Sequence, residues 1–408
     1  MKLTQKIRIK PTTEQSKVLW VLSEKCRLIY NFALKERMYA WDIDNEYVSY
    51  NKQQNDLPKL KQEYPEYKWV YSKVLQHILR ILEANYKSYY KLKKKDPTAK
   101  PPRFKGKKHF VTMIYNQSGF KFVNGYIQLS HKYNTTPLMF EIPKMFNFEK
   151  ITQVAIFERD NNFYLSVVYE KPVKPHVDNN IYQAFDLGAT KQTAVNTKGK
   201  FIEITNIRPD KYWEKRLLQL QSRRDHCKKY SRRWHKLNKL FIKCKRKCSN
   251  QLKDWQHKTS RKIVDNTKAN TIIVGDLEVK KLSKSSGKYK KSLNKSMSNT
   301  GNISRLVEFV TYKAELIGKR VIQINERGTT RTCCCCGKQH IMPLSKRIMK
   351  CDCGNVIDRD KNSSINIMLR YLSKNAKWTG YQQFVDNLRH TGVPVGTYSQ
   401  ETPSERVV

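Results

Sequence analysis

Six of the ten cysteines fall between positions 333 and 353, with the spacing of a metal site. Cys333-x-x-Cys336-Gly337 precedes Cys351-x-Cys353-Gly354, and fourteen residues separate Cys336 from Cys351. Paired thiolates on tight turns can complete a tetrahedral Zn²⁺ site, and the glycines let the backbone bend closely around the ion. Four sulfur ligands leave no position for a reacting water, so this zinc is expected to be structural. The run of four cysteines at 333–336 leaves the register of the first pair open, and Cys333 with Cys336 restores Cys-x-x-Cys-Gly. Cys26, Cys227, Cys244 and Cys248 lie in helix-like segments and read as packing residues.

The second signal is carboxylates at the ends of apolar strands. Asp186 follows the run Tyr182 to Phe185 and precedes Leu187-Gly188, so its side chain can face a cleft where a strand stops. An anion there is costly unless compensated, and a divalent cation is a common compensation. Asp358 and Asp360 lead into NSSINIMLRYL, a final helix, where either can also serve as an N-cap.

These residues need a scaffold, and the hydrophobic pattern outlines one. Residues 3–9 read as a strand; Pro11 stops it, and Thr12 with Gln15 forms a capping-box pattern that opens a helix. Val18, Leu22, Cys26, Ile29 and Ala33, then Val74, Ile78, Leu82, Tyr86 and Tyr89, recur at helical spacing. A helical block is expected at about 11–95, closed by a basic, proline-containing stretch. From 110 to 172 the period changes to two, with turn signals at Asn124-Gly125 and Asp160-Asn161-Asn162. This predicts a β domain, a small barrel, to which residues 3–9 add a strand. An α/β domain starts near 180 with IYQAFDLG and continues through the strands FIEI, TIIVGDL (271–277) and VIQIN, with a helix at about 303–317. The Ser/Lys/Asn-rich segment 283–301 reads as a mobile loop, and 374–408 as a poorly ordered tail.

Charge narrows the partners. Across 408 residues, 80 Lys plus Arg oppose 35 Asp plus Glu, a net charge of +45, yet 39% of residues are apolar and 11% aromatic. That is a folded protein facing a polyanion, with nucleic acid first among candidates. Segment 211–262 alone holds 19 Lys plus Arg against Glu214, Asp225 and Asp254, a local charge of +16, and reads as a helical arm along phosphates. Trp213, Trp234 and Trp255 within it fit packing between helices better than base stacking. No apolar run is long enough to span a bilayer, and the N-terminus lacks a signal-peptide core, so a cytoplasmic protein is expected.

In order and spacing, FDLG, an apolar strand ending in DL, T-x-R-T-C-x-x-C-G, C-x-C-G and D-R-D-K-N-S-S-I-N-I resemble the TnpB proteins. These are transposon-encoded, RNA-guided DNA nucleases related to type V CRISPR effectors and Fanzor proteins. IRIKPTTEQ, CRLIYNFAL, PPRFKGKK and LVEFVTYKAELIGKRVIQIN extend the resemblance over almost the whole chain. The fold it implies is multidomain α+β. A wedge β-barrel (1–10 and 99–178) is interrupted by a helical recognition domain (11–98). A RuvC nuclease domain of RNase H-like fold (179–330) carries the basic helical insertion 211–262. A zinc ribbon (331–355) precedes the last RuvC helix (356–373) and a disordered tail (374–408). The implied partners are a guide RNA from the transposon end, double-stranded target DNA and the RNA–DNA hybrid, bound by one copy of the chain in a prokaryotic, nucleoid-associated setting. Tyr30, Asn31 and Lys105 are the family-level choice for reading a short flanking DNA motif.

The chain departs from the family at one position. The middle strand of the family ends in Glu-Asp-Leu, whose Glu binds metal; here that position is Gly275. Asp276, Glu278 and Glu326 are the carboxylates that can fill the gap. Asp276 would point to the opposite face of the strand, whereas Glu326, at the end of the neighbouring strand, can reach the same metals. The expected catalytic set is therefore Asp186, Glu326 and Asp360 around two Mg²⁺ ions, hydrolysing a phosphodiester. Asn362 completes the Asp-x-Asn pattern that the family places at the metal, and Asp358 reads as a cap. Two competing readings are a nuclease-dead, RNA-guided transcriptional repressor and a DNA-strand transferase. For the latter no HUH-type histidine pair is present.

Overall fold

The computed structural model describes residues 1–116, 118–188, 190–276, 303–343, 345–375 and 378–393. Glu278 and the expected loop 283–301 lie outside them, as does the chain beyond 393. Two compact units divide the chain, Met1–Pro172 and Val173–Val408.

In the first unit, β1 (Lys2–Ile9) leads into α1 (Thr13–Asp44), which the predicted capping box opens: Gln15 N–H donates to Thr12 Oγ1 at 3.2 Å and Thr12 N–H to Gln15 Oε1 at 3.0 Å. Short helices α2 (Tyr50–Asn55) and α3 (Leu57–Glu63) and a 3₁₀ turn (Pro65–Trp69) precede α4 (Ser72–Lys93). Strands β2 (Met113–Asn116), β3 (Phe120–Val123), β4 (Tyr126–Leu129), β5 (Leu138–Glu141), β6 (Lys150–Arg159) and β7 (Asn162–Glu170) follow. Both predicted turns form, with positive φ at Asn124 and Gly125 and at Asp160 and Asn161. As expected, β1 joins this β region, pairing antiparallel with β7 from Lys2↔Glu170 to Ile9↔Phe163. The barrel expectation is corrected: the strands form two open sheets, β1-β7-β6-β2 and β3-β4-β5, with no closed barrel among the described residues. Val18, Leu22, Cys26 and Ile29 of α1 and Val74, Ile78 and Leu82 of α4 share one apolar core with Met113, Tyr115, Val154 and Leu165 of the sheets.

The second unit is built on the sheet β10-β9-β8-β11-β12, comprising β8 (Tyr182–Leu187), β9 (Lys191–Asn196), β10 (Phe201–Thr205), β11 (Thr271–Asp276) and β12 (Arg320–Asn325). The first three strands run antiparallel, and β8, β11 and β12 run parallel. The intervening helices are α5 (Pro209–Asp225), α6 (Arg232–Asn266) and α7 (Ile303–Leu316); after β12 come β13 (Ile348–Lys350), β14 (Val356–Asp358), α8 (Arg359–Asn375) and α9 (Trp378–His390). Alternate residues of each strand face different helices. Phe185, Leu187, Ile272 and Val274 pack against Ile263 and Val264 of α6 and Leu306 and Val310 of α7. Tyr182, Ala184 and Ile273, with Ile322 and Ile324, pack against Ile365, Met368, Leu369 and Leu372 of α8. Both sheet faces are covered, which explains why these strands are near-continuous apolar runs.

The tail expectation is corrected for part of its range, and the chain beyond 393 lies outside the described residues. Residues 378–390 form α9, whose Tyr381, Phe384, Val385 and Leu388 are buried in the α8 cluster. Spacing of i, i+3, i+4 and i+7 is an amphipathic-helix signature, here diluted by the polar residues around it.

Candidate active site

Strand parity decides which side chains meet. Asp186 shares the face of Tyr182 and Ala184, Gly275 that of Ile273, and Glu326 that of Ile322 and Ile324. The register sets Val274 opposite Phe185, so Asp186 and Gly275 lie level on neighbouring strands, and sets Gly275 opposite Ile324, so Glu326 follows just past the carboxyl end of β12, on the face of Ile324. Such an edge is where open α/β sheets bind ligands. Asp276 has the parity of Ile272 and Val274, which face α6 and α7, and it is exposed.

Glu326 fills the place left by Gly275. A Cβ built on Gly275 would collide with Glu326 Oε2 and lie 3.0 Å from its Cδ and 3.1 Å from its Cβ. The carboxylate thus occupies the volume a side chain at 275 would need. Its Oε2 is buried without a hydrogen-bond partner among the described residues. Burial first, then repulsion from Asp186 and Asp276, pushes Glu326 up to about 8, partly offset by Arg370.

Asp186 is the shared neighbour. Burial and the negative charge of Asp360 push it up to about 7, opposed by a hydrogen bond from Ser363 and by Arg359. Asp360 reaches the site from the first turn of α8, with Arg359 Nε 3.5 Å and Lys191 Nζ 3.8 Å from its oxygens. Lys191 also contacts Asp358 at 3.2 Å and Glu203 at 3.1 Å. Asp358 is the cap: its Oδ1 accepts from the N–H groups of Asp360 at 2.8 Å and Lys361 at 3.2 Å.

Carboxylates held this far above their ordinary range are short of positive charge, and hard oxygen donors with an orphaned buried oxygen suit Mg²⁺. Among the described residues, only the cysteines cluster tightly enough to surround a single ion. Asp186 is coupled to Asp360 on one side and to Glu326 on the other, so the three carboxylates would offer their oxygens to divalent cations from one edge of the sheet.

The sulfurs of Cys333, Cys336, Cys351 and Cys353 all lie within 4.8 Å of one another, with Cys333 and Cys353 at 3.8 Å and Cys336 and Cys351 at 3.4 Å. A tetrahedral ion with Zn–S bonds of about 2.3 Å sets its ligands about 3.8 Å apart, so the set fits. Each pair sits on a turn closed by a glycine of positive φ, Gly337 at 73° and Gly354 at 85°. Desolvation opposes ionisation of Cys353, but the Asn355 N–H and the neighbouring thiols prevail and hold it down to about 7. Asn355 Nδ2 donates to Cys333 Sγ at 3.3 Å and to Cys334 Sγ at 3.5 Å, an outer contact of the kind that orients ligands. Cys26 and Cys244 are buried, as packing residues should be.

Asn362 is not at the carboxylates. Fully buried, it donates to Thr332 O at 2.7 Å and accepts from Cys334 N–H at 2.9 Å, tying α8 to the cysteine loop. Asn366 doubles the tie, donating to Thr329 O at 2.8 Å and Thr332 O at 2.7 Å. Tyr30, Asn31 and Lys105, the residues expected to read DNA, lie together and hold a loop. Asn31 exchanges hydrogen bonds with the Lys105 backbone at 2.9 and 2.8 Å, and buried Tyr30 lies beneath the Lys105 ammonium, 4.5 Å from ring to Nζ. Sequence reasoning missed Ser363 and Lys191. Ser363 lies three residues after Asp360, on the same helical face, which was a usable signal.

Three family models match successive parts of the chain. The OrfB_IS605 helix-turn-helix domain covers 1–45, OrfB_IS605, described as "Probable transposase", covers 166–286, and the Cas12f1-like TNB domain covers 304–367. The second spans Asp186 and Gly275, and the third spans Glu326, the four cysteines and Asp360. A Streptomyces pristinaespiralis protein named "Putative RNA-guided DNA endonuclease" is 26% identical over 376 residues, covering 91% of this chain and 90% of that one. A TnpB-like protein of Acanthamoeba polyphaga mimivirus is 35% identical over 140 residues, 34% of this chain and 26% of the other. Among solved structures, the protein of a Cas12f1–sgRNA–target DNA complex aligns over 87% of this chain and 82% of its own, with a TM-score of 0.57 at 14% identity, a likeness of fold. No described helix is long and apolar enough to cross a membrane. These models and relatives, together with the order of the motifs, support the TnpB family for this chain.

Proposed function

We propose that this chain is an RNA-guided DNA endonuclease that hydrolyses target DNA at Asp186, Glu326 and Asp360. The observation that carries the reading is Glu326 Oε2 standing in the volume of the missing 275 side chain, beside Asp186. Two antiparallel steps followed by parallel strands, with the third acid on a closing helix, agree with a RuvC domain of RNase H-like fold. When bound, Mg²⁺ supplies a polarised water for attack on phosphorus and stabilises the leaving 3′ oxygen. The protein's own part is to hold three acceptor groups ready. Ser363 orients Asp186, the Asp358 cap fixes the first turn bearing Asp360, and Arg370 lies close enough to stabilise Glu326 as an anion. The cysteine site holds structural zinc, and the Asn362 and Asn366 clamp ties its loop to the helix that carries Asp360.

The charge of +45 belongs, in this reading, to a guide RNA and its hybrid with DNA, where cations contact phosphates and base pairing supplies sequence. Purified ribonucleoprotein with Mg²⁺ and a matched plasmid should cut both strands. Tight target binding with both strands intact would favour the repressor reading, and normal cutting by Glu326→Ala would remove Glu326 from the site.

A further inference from the structure

The hairpin of α5 and α6 carries a feature that the cleavage chemistry does not use. A cleft of about 430 Å³ opens between the two helices, walled by Tyr212, Trp213 and Arg216 of α5 and by Leu240, Lys243 and Lys247 of α6. Tyr212 is 77% exposed, and its hydroxyl makes no hydrogen bond among the described residues. An aromatic ring so displayed on a packed helix is doing nothing for the core beneath it.

Trp213, by contrast, is fixed. Its Nε1–H donates to Gln251 Oε1 at 2.8 Å, its ring meets Tyr212 edge to face with centroids 5.3 Å apart, and the Lys247 ammonium lies 5.9 Å from its centre. Arg216, Lys243 and Lys247 are exposed and form no ion pair among the described residues. The cleft therefore combines a fixed indole, an exposed phenol ring set edge to face against it, and three exposed cations without an ion pair among the described residues. Its size suits a small planar group, and its charge suits phosphates on either side of that group.

We propose that this cleft binds an unpaired nucleobase of a single-stranded nucleic acid, stacked on the exposed ring of Tyr212 with its edge toward Trp213 and its flanking phosphates on Arg216, Lys243 and Lys247. Aromatic rings beside a cationic groove are how single strands are held without sequence preference, because every base has a π-face. A duplex keeps its bases stacked inside and cannot use the rings. The hairpin thus distinguishes unpaired from paired strands, beyond the phosphate attraction that its +16 charge gives to both.

The test is photo-crosslinking of the full chain to a 5-iodouridine-substituted RNA of about 15 nucleotides, within the range single-strand sites cover. The same RNA annealed to its complement is the comparison, and adducts are mapped by mass spectrometry. Adducts are expected at Tyr212 or Trp213 with the single strand, falling severalfold with the duplex. Tyr212→Ala should lower the Trp213 adduct about fivefold or more, and Tyr212→Phe should retain it. Because Tyr212 is exposed, unchanged helical circular dichroism in Tyr212→Ala separates loss of stacking from unfolding. Equal yield from the duplex, adducts only elsewhere, or a Trp213 adduct suppressed as well by poly-glutamate as by unlabelled RNA would overturn the proposal. No outcome depends on cleavage, so this site and the nuclease centre stand or fall separately.

Discussion

Replacing Glu326 by glutamine keeps the shape that fills the Gly275 gap and removes only the charge. In the metal-free protein that charge is unfavourable, since burial and Asp186 push Glu326 up to about 8 from an ordinary 4.5. A carboxyl whose affinity for protons is raised by folding contributes stability that is fully present below its ordinary pKa. That contribution is lost as pH rises to about 8. At about 1.4 kcal/mol per tenfold change in proton affinity, the full effect would be about 5 kcal/mol. Solvent on the open side of the site and repulsion shared with Asp186 reduce it, and we expect about 2 kcal/mol, or about 4–8 °C in Tm for a unit of this length. Measured in EDTA near about pH 9, above both raised carboxyls, Glu326→Gln should melt higher than wild type by that amount. The gap should close toward about pH 5. Added Mg²⁺ should reverse the order, because wild type gains about 2.7 kcal/mol at a hundredfold excess over Kd and the variant loses most of this. Equal Tm values at high pH would mean that the Glu326 charge is not destabilising, and equal stabilisation of both proteins by Mg²⁺ that Glu326 does not hold the ion.

Three further outcomes follow from the packing. One zinc per chain should be found by elemental analysis of purified protein, and Cys336→Ser should lose the ion and lower Tm, because structural zinc contributes folding energy directly. Asp358→Ala should cost about 1 kcal/mol in denaturant unfolding through loss of the α8 cap while cleavage survives; abolished cleavage with intact stability would make Asp358 a ligand. Phe384→Ala should destabilise the second unit by about 3–5 kcal/mol, whereas a neutral effect would mean that α9 does not pack in solution.

Much of this arrangement was legible before the structure. The helical starts and hairpin turns were local signals, as Thr12 with Gln15 and Asn124-Gly125 show. Strand parity alone turned Asp276 away from the site. Why Glu326 reaches it is a tertiary fact: β12 lies parallel to β11 with Gly275 opposite Ile324, which no local pattern encodes. Alternation likewise cannot distinguish an open sheet from a closed barrel, because both bury every second residue. Asn362 was misplaced for a similar reason. A helix presents residues two apart to different surroundings, and Asp360 faces the carboxylates while Asn362 faces the cysteine loop.

In the proposed site the carboxylate missing at position 275 is supplied from position 326, into the same volume. Plasmid cleavage by the guide-loaded protein in Mg²⁺ tests it through a reciprocal exchange. Gly275→Glu alone should be inactive and unstable, because its side chain collides with Glu326. Glu326→Ala alone should be inactive for want of the third acid. The double variant Gly275→Glu/Glu326→Ala returns a carboxylate to the vacated volume and should recover cleavage well above either single variant. Normal cleavage by Glu326→Ala, or a double variant no better than the singles, would mean that Glu326 does not replace a carboxylate at 275.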